Sequence, residues 1–237
     1  MLEIYFLVVI VLFVTIEFSV YKLVLSINKK FQWLILSKDE NPKISESVLE
    51  KFLPHGFDPE LGWVRKPNTE HLENGKYGKV KWTTNSSGAR TNPEFEKTES
   101  KISCYGDSFA FCRQVNDDET WEHYLSKTFM INVQNFGVGN YGLDQTLLRL
   151  KREYALNPTK IVIIGVVPDT ISRILSMWKH YYEYGNTLGF KPRFKISNND
   201  LELIKNPIDT KEKFLKYTNY LNIIQENDFF YKTKFSK

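Results

Sequence analysis

The chain has 237 residues, of which 42% are hydrophobic and 15% aromatic, and its formal net charge is +4. After a membrane segment is set aside, this length leaves one domain of catalytic size with a sizeable core. The charge is mild, and the lysines are scattered among acidic residues instead of forming a basic stripe, which argues against nucleic-acid binding.

The first predicted element is an N-terminal membrane helix. Residues 4–16 are almost wholly apolar, and the apolar run resumes over 18–27 after Glu17, with Lys22 as a further interruption. At about 1.5 Å per residue, this run is long enough to cross a hydrocarbon core. The preceding residues lack the basic charge of a cleaved signal peptide, so we expect residues 1–27 to remain as a single-pass anchor. A buried amphipathic helix is the alternative.

The side of the membrane is left open. Four lysines lie late in the apolar run or after it: Lys22, Lys29, Lys30 and Lys38. The positive-inside tendency places the domain that follows in the cytoplasm, and an exported domain has to override this bias.

Residues 28–100 form an irregular lead-in with short strands. The segment 56–64 is typical of a turn followed by a short strand, and Lys79–Thr84 alternates like another strand. The Asn and Gly residues of 85–90 then predict a loop. We expect this lead-in to wrap around the main domain.

The main α/β domain is predicted over 101–237, where strands and helices alternate. The expected strands are 102–105, 132–138 and 161–167, and the expected helices are 119–129, 143–154, 170–182 and 210–227. This order predicts a parallel sheet covered on both faces, without a convincing fourth strand. Phe214, Tyr217, Leu221 and Ile224 form the buried stripe of the last helix.

A serine at a turn carries the chemistry. The apolar strand 102–105 runs into Gly106, Asp107 and Ser108 and then directly into a helix. Such a turn presents the hydroxyl at the carboxyl end of a sheet, beside free backbone N–H groups that stabilise an oxyanion. We expect Ser108, the 137–142 loop and the 168–169 turn to meet in one crevice. The pattern predicts acyl transfer or ester hydrolysis.

Three blocks in order support a family resemblance. Gly106-Asp107-Ser108 is followed by the 135–145 segment, which begins Asn-Phe-Gly-Val-Gly-Asn, and then by the apolar 161–165 strand. Together with the segments 85–90 and 115–121, they resemble the envelope-associated bacterial branch of the SGNH (GDSL-type) hydrolases over residues 60–175.

The resemblance implies a flavodoxin-like three-layer α/β/α sandwich. It also implies that Ser108 is the nucleophile and that its own N–H is one oxyanion donor, with Gly139 or Asn140 supplying the second. Pro168 stands where the family has an asparagine, and proline supplies no donor. Gly106, Asp107 and Asp169 have supporting roles, with Asp169 expected at a helix start and Arg173 as its partner.

The general base of the family has no counterpart here. The family has an Asp and a His three residues apart near its C-terminus, whereas the histidines of this chain are His55, His71, His123 and His180. His180 is the possible substitute base; otherwise it is a partly exposed histidine at a helix end. We expect His123 to be a surface partner of Glu119. Asp144 is expected to cap the helix after Gly142 or, with Gln145, to line the crevice.

Three functional hypotheses remain. The chain is a serine esterase or acyl-transfer hydrolase acting on an ester near a bilayer, for example an O-acylated envelope carbohydrate. Alternatively, it is an SGNH-like binding or scaffolding module without activity. It is otherwise a C-terminally incomplete hydrolase with an apolar sheet edge and poor autonomous stability. We expect no cofactor and no metal; Cys104 and Cys112 are predicted to be buried free thiols.

Overall fold

The computed structural model describes residues 2–30, 41–76 and 78–234, so parts of the predicted lead-in (31–40 and Tyr77) and the last three residues of the predicted domain lie outside it. The α-helices are α1 (Leu2–Lys30), α2 (Glu46–His55), α3 (Ser108–Phe111), α4 (Trp121–Phe129), α5 (Leu143–Leu156), α6 (Pro168–Ser172), α7 (Lys179–Tyr182), α8 (Lys211–Leu215), α9 (Leu221–Asn227) and α10 (Phe229–Lys234). The strands are β1 (Phe57–Asp58), β2 (Gly62–Trp63), β3 (Glu70–Gly75), β4 (Gly78–Thr83), β5 (Ser100–Tyr105), β6 (Asn132–Asn135), β7 (Ile161–Ile164), β8 (Arg193–Ser197) and β9 (Asp200–Ile204).

The N-terminal helix is long and apolar enough to cross a membrane. Within α1, the 23 residues Tyr5–Ile27 have a mean hydropathy of 2.3, and none of the most apolar window is buried against the rest of the chain. Length and composition therefore agree with the predicted apolar helix.

The parallel sheet is confirmed. Its central strand β5 pairs with β6 on one side and β7 on the other, in the order β6-β5-β7. Ile102 lies opposite Val133 of β6 and opposite Ile161 of β7, and both pairings are parallel. Ile102, Cys104 and Val133 are buried together, since apolar side chains of adjacent strands share one face. Within the described residues this sheet has three strands.

The expectation that the sheet is covered on both faces is wrong at β7. Ile161 is 53% exposed and Ile164 is 45% exposed, and their neighbour Val162 is exposed as well. In the described part of the chain, β7 pairs only with β5. Among the described residues, the sheet therefore has an open apolar edge at β7.

Two predicted long helices are broken. Residues 170–182 form α6, a 3₁₀ turn at Arg173–Leu175 and α7, and residues 210–227 form α8, a 3₁₀ turn and α9. The first break has a clear cause: the buried carboxylate of Asp228 accepts hydrogen bonds from the backbone N–H groups of Met177 (2.7 Å) and Trp178 (3.1 Å). These amides are thereby taken from a continuous helix.

An aromatic cluster nevertheless forms where a buried stripe was predicted. Phe214, Tyr217 and Ile224 are buried, while Leu221 is partly buried against them. They pack with Trp178 and Phe190, whose rings stack with a centroid separation of 4.9 Å. This C-terminal cluster is a second core, separate from the one around the sheet.

The lead-in is part of the core as well as a wrapper. Arg90 forms a β-bridge with Asn135 of β6, and its N–H donates to the Asn135 carbonyl at 2.8 Å. The neighbouring Ala89 is buried against Tyr105 and Phe136. Residues before the sheet therefore complete one side of it.

Candidate functional site

A sharp turn places Ser108 at the carboxyl end of the central strand. Gly106 has φ +155°, and a Cβ at this position would lie 2.9 Å from the Ala110 side chain, which explains the glycine. Asp107 is the N-cap of α3, and its Oδ1 accepts the backbone N–H of Phe109 at 2.9 Å. Strand, glycine and capping carboxylate together fix where α3 begins.

Ser108 is partly exposed, and its hydroxyl has no hydrogen-bond partner among the described residues. It lies between the buried Asp107 and the exposed Phe109. A Cβ built on Gly139 would lie 4.0 Å from the Cβ of Ser108, so Ser108 lies next to the 137–142 loop.

The 137–142 loop is held against the turn that bears Ser108. The N–H of Val138 donates to the Gly106 carbonyl at 3.0 Å, and the Trp63 indole N–H donates to the Gly139 carbonyl at 3.0 Å. Asn140 adopts the left-handed conformation, with φ 68°. In the described structure, the N–H groups of Gly139 and Asn140 have no acceptor. These donors remain available for an oxyanion.

An ion pair joins the segment after β7 to the same turn. Arg173 Nη1 lies 2.9 Å from Oδ2 of Asp107 and also donates to the Tyr141 carbonyl at 3.3 Å. The expected pairing of Arg173 with Asp169 is therefore wrong. Asp169 lies in α6, which begins at Pro168, and accepts the Tyr182 hydroxyl at 3.3 Å.

A cleft of about 510 Å³ opens beside the loop. Its lining includes Trp63, Arg65, Gly139, Asn140, Lys179 and the 185–189 turn, but not Ser108. The chain after α7 therefore folds back toward the 137–142 loop.

His180 itself is buried, so the expectation of partial exposure is wrong. Its ring centroid lies 4.7 Å from that of Trp178 and 4.8 Å from that of Tyr184. The Gly185 N–H donates to its Nδ1 at 3.2 Å. Because a backbone amide only donates, Nδ1 is an acceptor, and the neutral ring carries its proton on Nε2.

His123 is a core residue, which makes the expected surface pairing with Glu119 wrong. It is fully buried, and its Nδ1 lies 2.9 Å from Asn92 Oδ1. Asn92 also donates to the Ser126 hydroxyl at 2.7 Å and to Asn132. This network joins the lead-in to α4 and β6.

The N-cap of α5 is Gly142, but Asp144 still accepts a first-turn amide, since its Oδ1 receives the Gln145 N–H at 2.8 Å. Asp144 lies one residue inside the helix, buried, and forms an ion pair with the equally buried Lys191. Gln145 donates to the Leu61 carbonyl at 2.7 Å. Neither side chain lines the cleft described above.

Both cysteines are free, as predicted, with Cys104 buried and Cys112 partly buried. Burial raises the pKa of both thiols, that of Cys112 to about 12, so they are unreactive at neutral pH. Burial also raises the pKa of Glu122 to about 8; its Oε2 lies 3.6 Å from the Cys112 sulfur.

Sequence reasoning missed Arg65, Trp63 and His55, all of which line the cleft. They lie 43 or more residues before Ser108 in the lead-in, where no motif pointed to them. Their place in the site depends on how the lead-in packs on the 137–142 loop.

No protein-family model matches the chain, and no curated protein matches it at a significant level.

Proposed function

We propose that the chain is an SGNH-type serine hydrolase or acyltransferase acting on an ester, with Ser108 as the nucleophile. One observation carries the proposal: the Ser108 hydroxyl is unengaged by any described residue and lies beside Gly139 at the carboxyl end of the central parallel strand. In the strand order β6-β5-β7, the first parallel strand of the chain, β5, lies between the next two, β6 and β7. This order supports a flavodoxin-like arrangement.

The chemistry follows from the groups at the turn. Ser108 Oγ attacks the ester carbonyl carbon, its proton passes to a base, and the alcohol leaves when the tetrahedral intermediate collapses to an acyl-enzyme. The N–H groups of Ser108, Gly139 and Asn140 are the donors for the developing oxyanion. Water or a second alcohol then takes the acyl group, which gives hydrolysis or transfer.

The hydrolase proposal requires a general base that accepts the proton of Ser108. With Nδ1 accepting the Gly185 N–H and Nε2 protonated, the lone pair of His180 is already engaged. His55 is the histidine that lines the cleft, and it is exposed. In the hydrolase proposal, His55 accepts the proton, or the 180–185 turn opens to free His180.

The engaged His180 favours a second candidate, a non-catalytic module that binds esters or carbohydrates in the same cleft. A serine without an adjacent base stays near its solution pKa and is a poor nucleophile. The cleft and its lining do not depend on that base.

A labelling experiment separates the two candidates. The full chain in detergent micelles is treated with a fluorophosphonate probe and assayed with a 4-nitrophenyl ester, beside Ser108→Ala and, as a control, Ser86→Ala at an exposed position. The hydrolase predicts labelling and turnover in the parent and in Ser86→Ala and neither in Ser108→Ala. A folded parent without labelling contradicts the hydrolase and supports the binding module.

We also propose that α1 anchors the chain in a membrane as a single span. The substrate class we propose is an ester of an envelope carbohydrate. The length and hydropathy of α1 support the anchor. Protease digestion of intact and opened membrane vesicles assigns the side on which the domain lies. Release of the intact chain by carbonate washing contradicts the anchor.

A further inference from the structure

We infer that the cleft beside Ser108 binds an anionic group of a ligand, and that the Arg65 guanidinium holds this group, a carboxylate or a phosphate. That this group belongs to the ester substrate rests on the proposed hydrolase function, whereas the binding of the anion does not.

Arg65 is a guanidinium without an anionic partner in the described structure. No carboxylate of the described residues lies within ion-pair distance of it, and its buried Nε has no hydrogen-bond partner. Its guanidinium carbon lies 4.4 Å from the ring centroid of Trp82 and 4.7 Å from that of Phe111. The two rings hold the group in place and leave its N–H donors for a ligand.

The other cations of the cleft are already paired. Arg113 forms an ion pair with Glu73, and Lys179 forms one with Glu183 at 2.9 Å. Among the described residues that line the cleft, none is acidic. An anion entering the cleft therefore meets one guanidinium without an ion-pair partner and no carboxylate in the lining; the nearby Glu73 is already paired with Arg113.

The surroundings of Arg65 favour an anion. Burial and the nearby charges of Arg113, Arg149 and Arg90 lower its pKa to about 10 against the opposing effect of the Glu73 carboxylate, so the group remains protonated at neutral pH. A largely buried cation without a carboxylate in ion-pair contact is costly, and a bound anion offsets that cost. The planar guanidinium matches the two oxygens of a carboxylate or phosphate.

Gly139 links this anion site to the nucleophile. A Cβ built on Gly139 would lie 3.9 Å from Nη2 of Arg65 and 4.0 Å from the Cβ of Ser108. An anion on Arg65 is thus within a few bonds of an ester carbonyl at Ser108. Apolar side chains of Phe52, Val138 and Leu188 line the rest of the cleft and suit an apolar body. The ligand class is an acyl or alcohol group that carries one carboxylate or phosphate.

Calorimetric titration of the full chain in detergent micelles tests the site. The probes are monomethyl succinate, methyl phosphate and the neutral dimethyl succinate, and the first two distinguish a carboxylate from a phosphate ligand. The parent is expected to bind at least one anionic probe and not the neutral diester. Arg65→Gln is expected to weaken that binding about 10- to 100-fold.

Two further variants keep the test decisive. Lys81→Gln removes a positive charge from an exposed ion pair and should bind like the parent. Gly139→Ala introduces a methyl group between Arg65 and Ser108 at ordinary contact distances, so it should fold and block the anion. Equal affinity of folded Arg65→Gln and the parent overturns the inference, as does the absence of anion binding by the parent.

The outcome is separable from that of the hydrolase proposal. Ser108→Ala should bind the anionic probes as the parent does, because Arg65 does not depend on the hydroxyl. Binding without any turnover leaves the anion site standing and refutes the hydrolase. The anion site alone is refuted by two results together: the parent binds no anionic probe, and it turns over 4-nitrophenyl hydrogen succinate and 4-nitrophenyl butyrate equally well.

Discussion

The Asp107 carboxylate and the Arg173 guanidinium, 66 residues apart, form an ion pair with an Nη1–Oδ2 distance of 2.9 Å. Both side chains are largely buried, and the Asp107 carboxylate simultaneously caps α3 through the Phe109 N–H. The segment after β7 is thereby tied to the turn that carries Ser108.

Arg173→Leu is expected to lower the free energy of unfolding by about 3 kcal/mol, because it leaves the Asp107 carboxylate buried without its counter-charge. Urea denaturation followed by circular dichroism measures the change. Lys216→Ala, which breaks an exposed pair with Glu212 four residues away in sequence, is the control and should leave the midpoint unchanged. A midpoint for Arg173→Leu equal to that of the control contradicts the structural role of this pair.

Gly137 and Gly139 form a matched test of how the loop packs on α3. A Cβ at Gly137 would lie 2.3 Å from the backbone N of Phe111, whereas a Cβ at Gly139 finds its nearest described atom at 3.9 Å. We expect Gly137→Ala to destabilise the fold by about 2–4 kcal/mol and Gly139→Ala to change it by less than about 0.5 kcal/mol. Thermal melts of both variants provide the measurement, and similar melting temperatures would show that the loop is not packed as described.

Arg90 supports the end of α3 from the lead-in. Its Nη1 and Nη2 donate to the carbonyls of Phe111 (2.5 Å), Cys112 (2.7 Å) and Val115 (2.6 Å), and its Nε pairs with Asp117 at 2.8 Å. A lysine has no such fork, so Arg90→Lys leaves buried carbonyls unsatisfied.

We expect Arg90→Lys to cost about 3 kcal/mol of unfolding free energy and to increase amide hydrogen exchange in residues 108–115. Mass spectrometry of exchanged peptides measures the loss of protection, and its size gives the change in the free energy of unfolding. Unchanged protection of that segment in the variant would argue that Arg90 does not hold α3.

Glu122 makes stability depend on pH in a defined window. Its folded pKa is raised by burial from the ordinary value of 4.5 to about 8, so between these values the folded state keeps a proton that the unfolded state releases. The free energy of unfolding therefore falls as pH rises through the window, by up to about 1.4 kcal/mol per pH unit.

Glu122→Gln cannot ionise and removes this slope. The variant should gain stability over the parent at pH 8 and show little difference at pH 4.5. Urea midpoints at several pH values measure the effect, and parallel pH profiles of the two proteins would contradict it.

Local sequence information was enough to predict the strands of the sheet and the turn that bears Ser108. The runs near 102, 132 and 161 became β5, β6 and β7, because short runs between helical segments are typical of the strands of a parallel sheet. Gly106, Asp107 and Ser108 have the local geometry that a strand–turn–helix junction demands, with the Asp107 cap fixed by residues two positions away.

Local sequence information could not predict where the long helices break or which residues surround the histidines. The 170–182 pattern is helical in periodicity, yet Asp228 takes the N–H groups of Met177 and Trp178 from 50 or more residues away. His123 and Glu119 have helical spacing for a surface pair, but α4 turns His123 toward Asn92 of the lead-in.

The elements that depend on residues close in sequence could thus be predicted from the sequence alone: the apolar helix, the parallel strands and the turn that bears Ser108. Tertiary structure decided which charges meet: it pairs Asp107 with Arg173 and leaves Arg65, beside Gly139, without a carboxylate within ion-pair distance among the described residues. The physical reason is that backbone conformation depends on local sterics and hydrogen bonds, whereas ion pairing and burial depend on distances between segments that only the folded chain brings together.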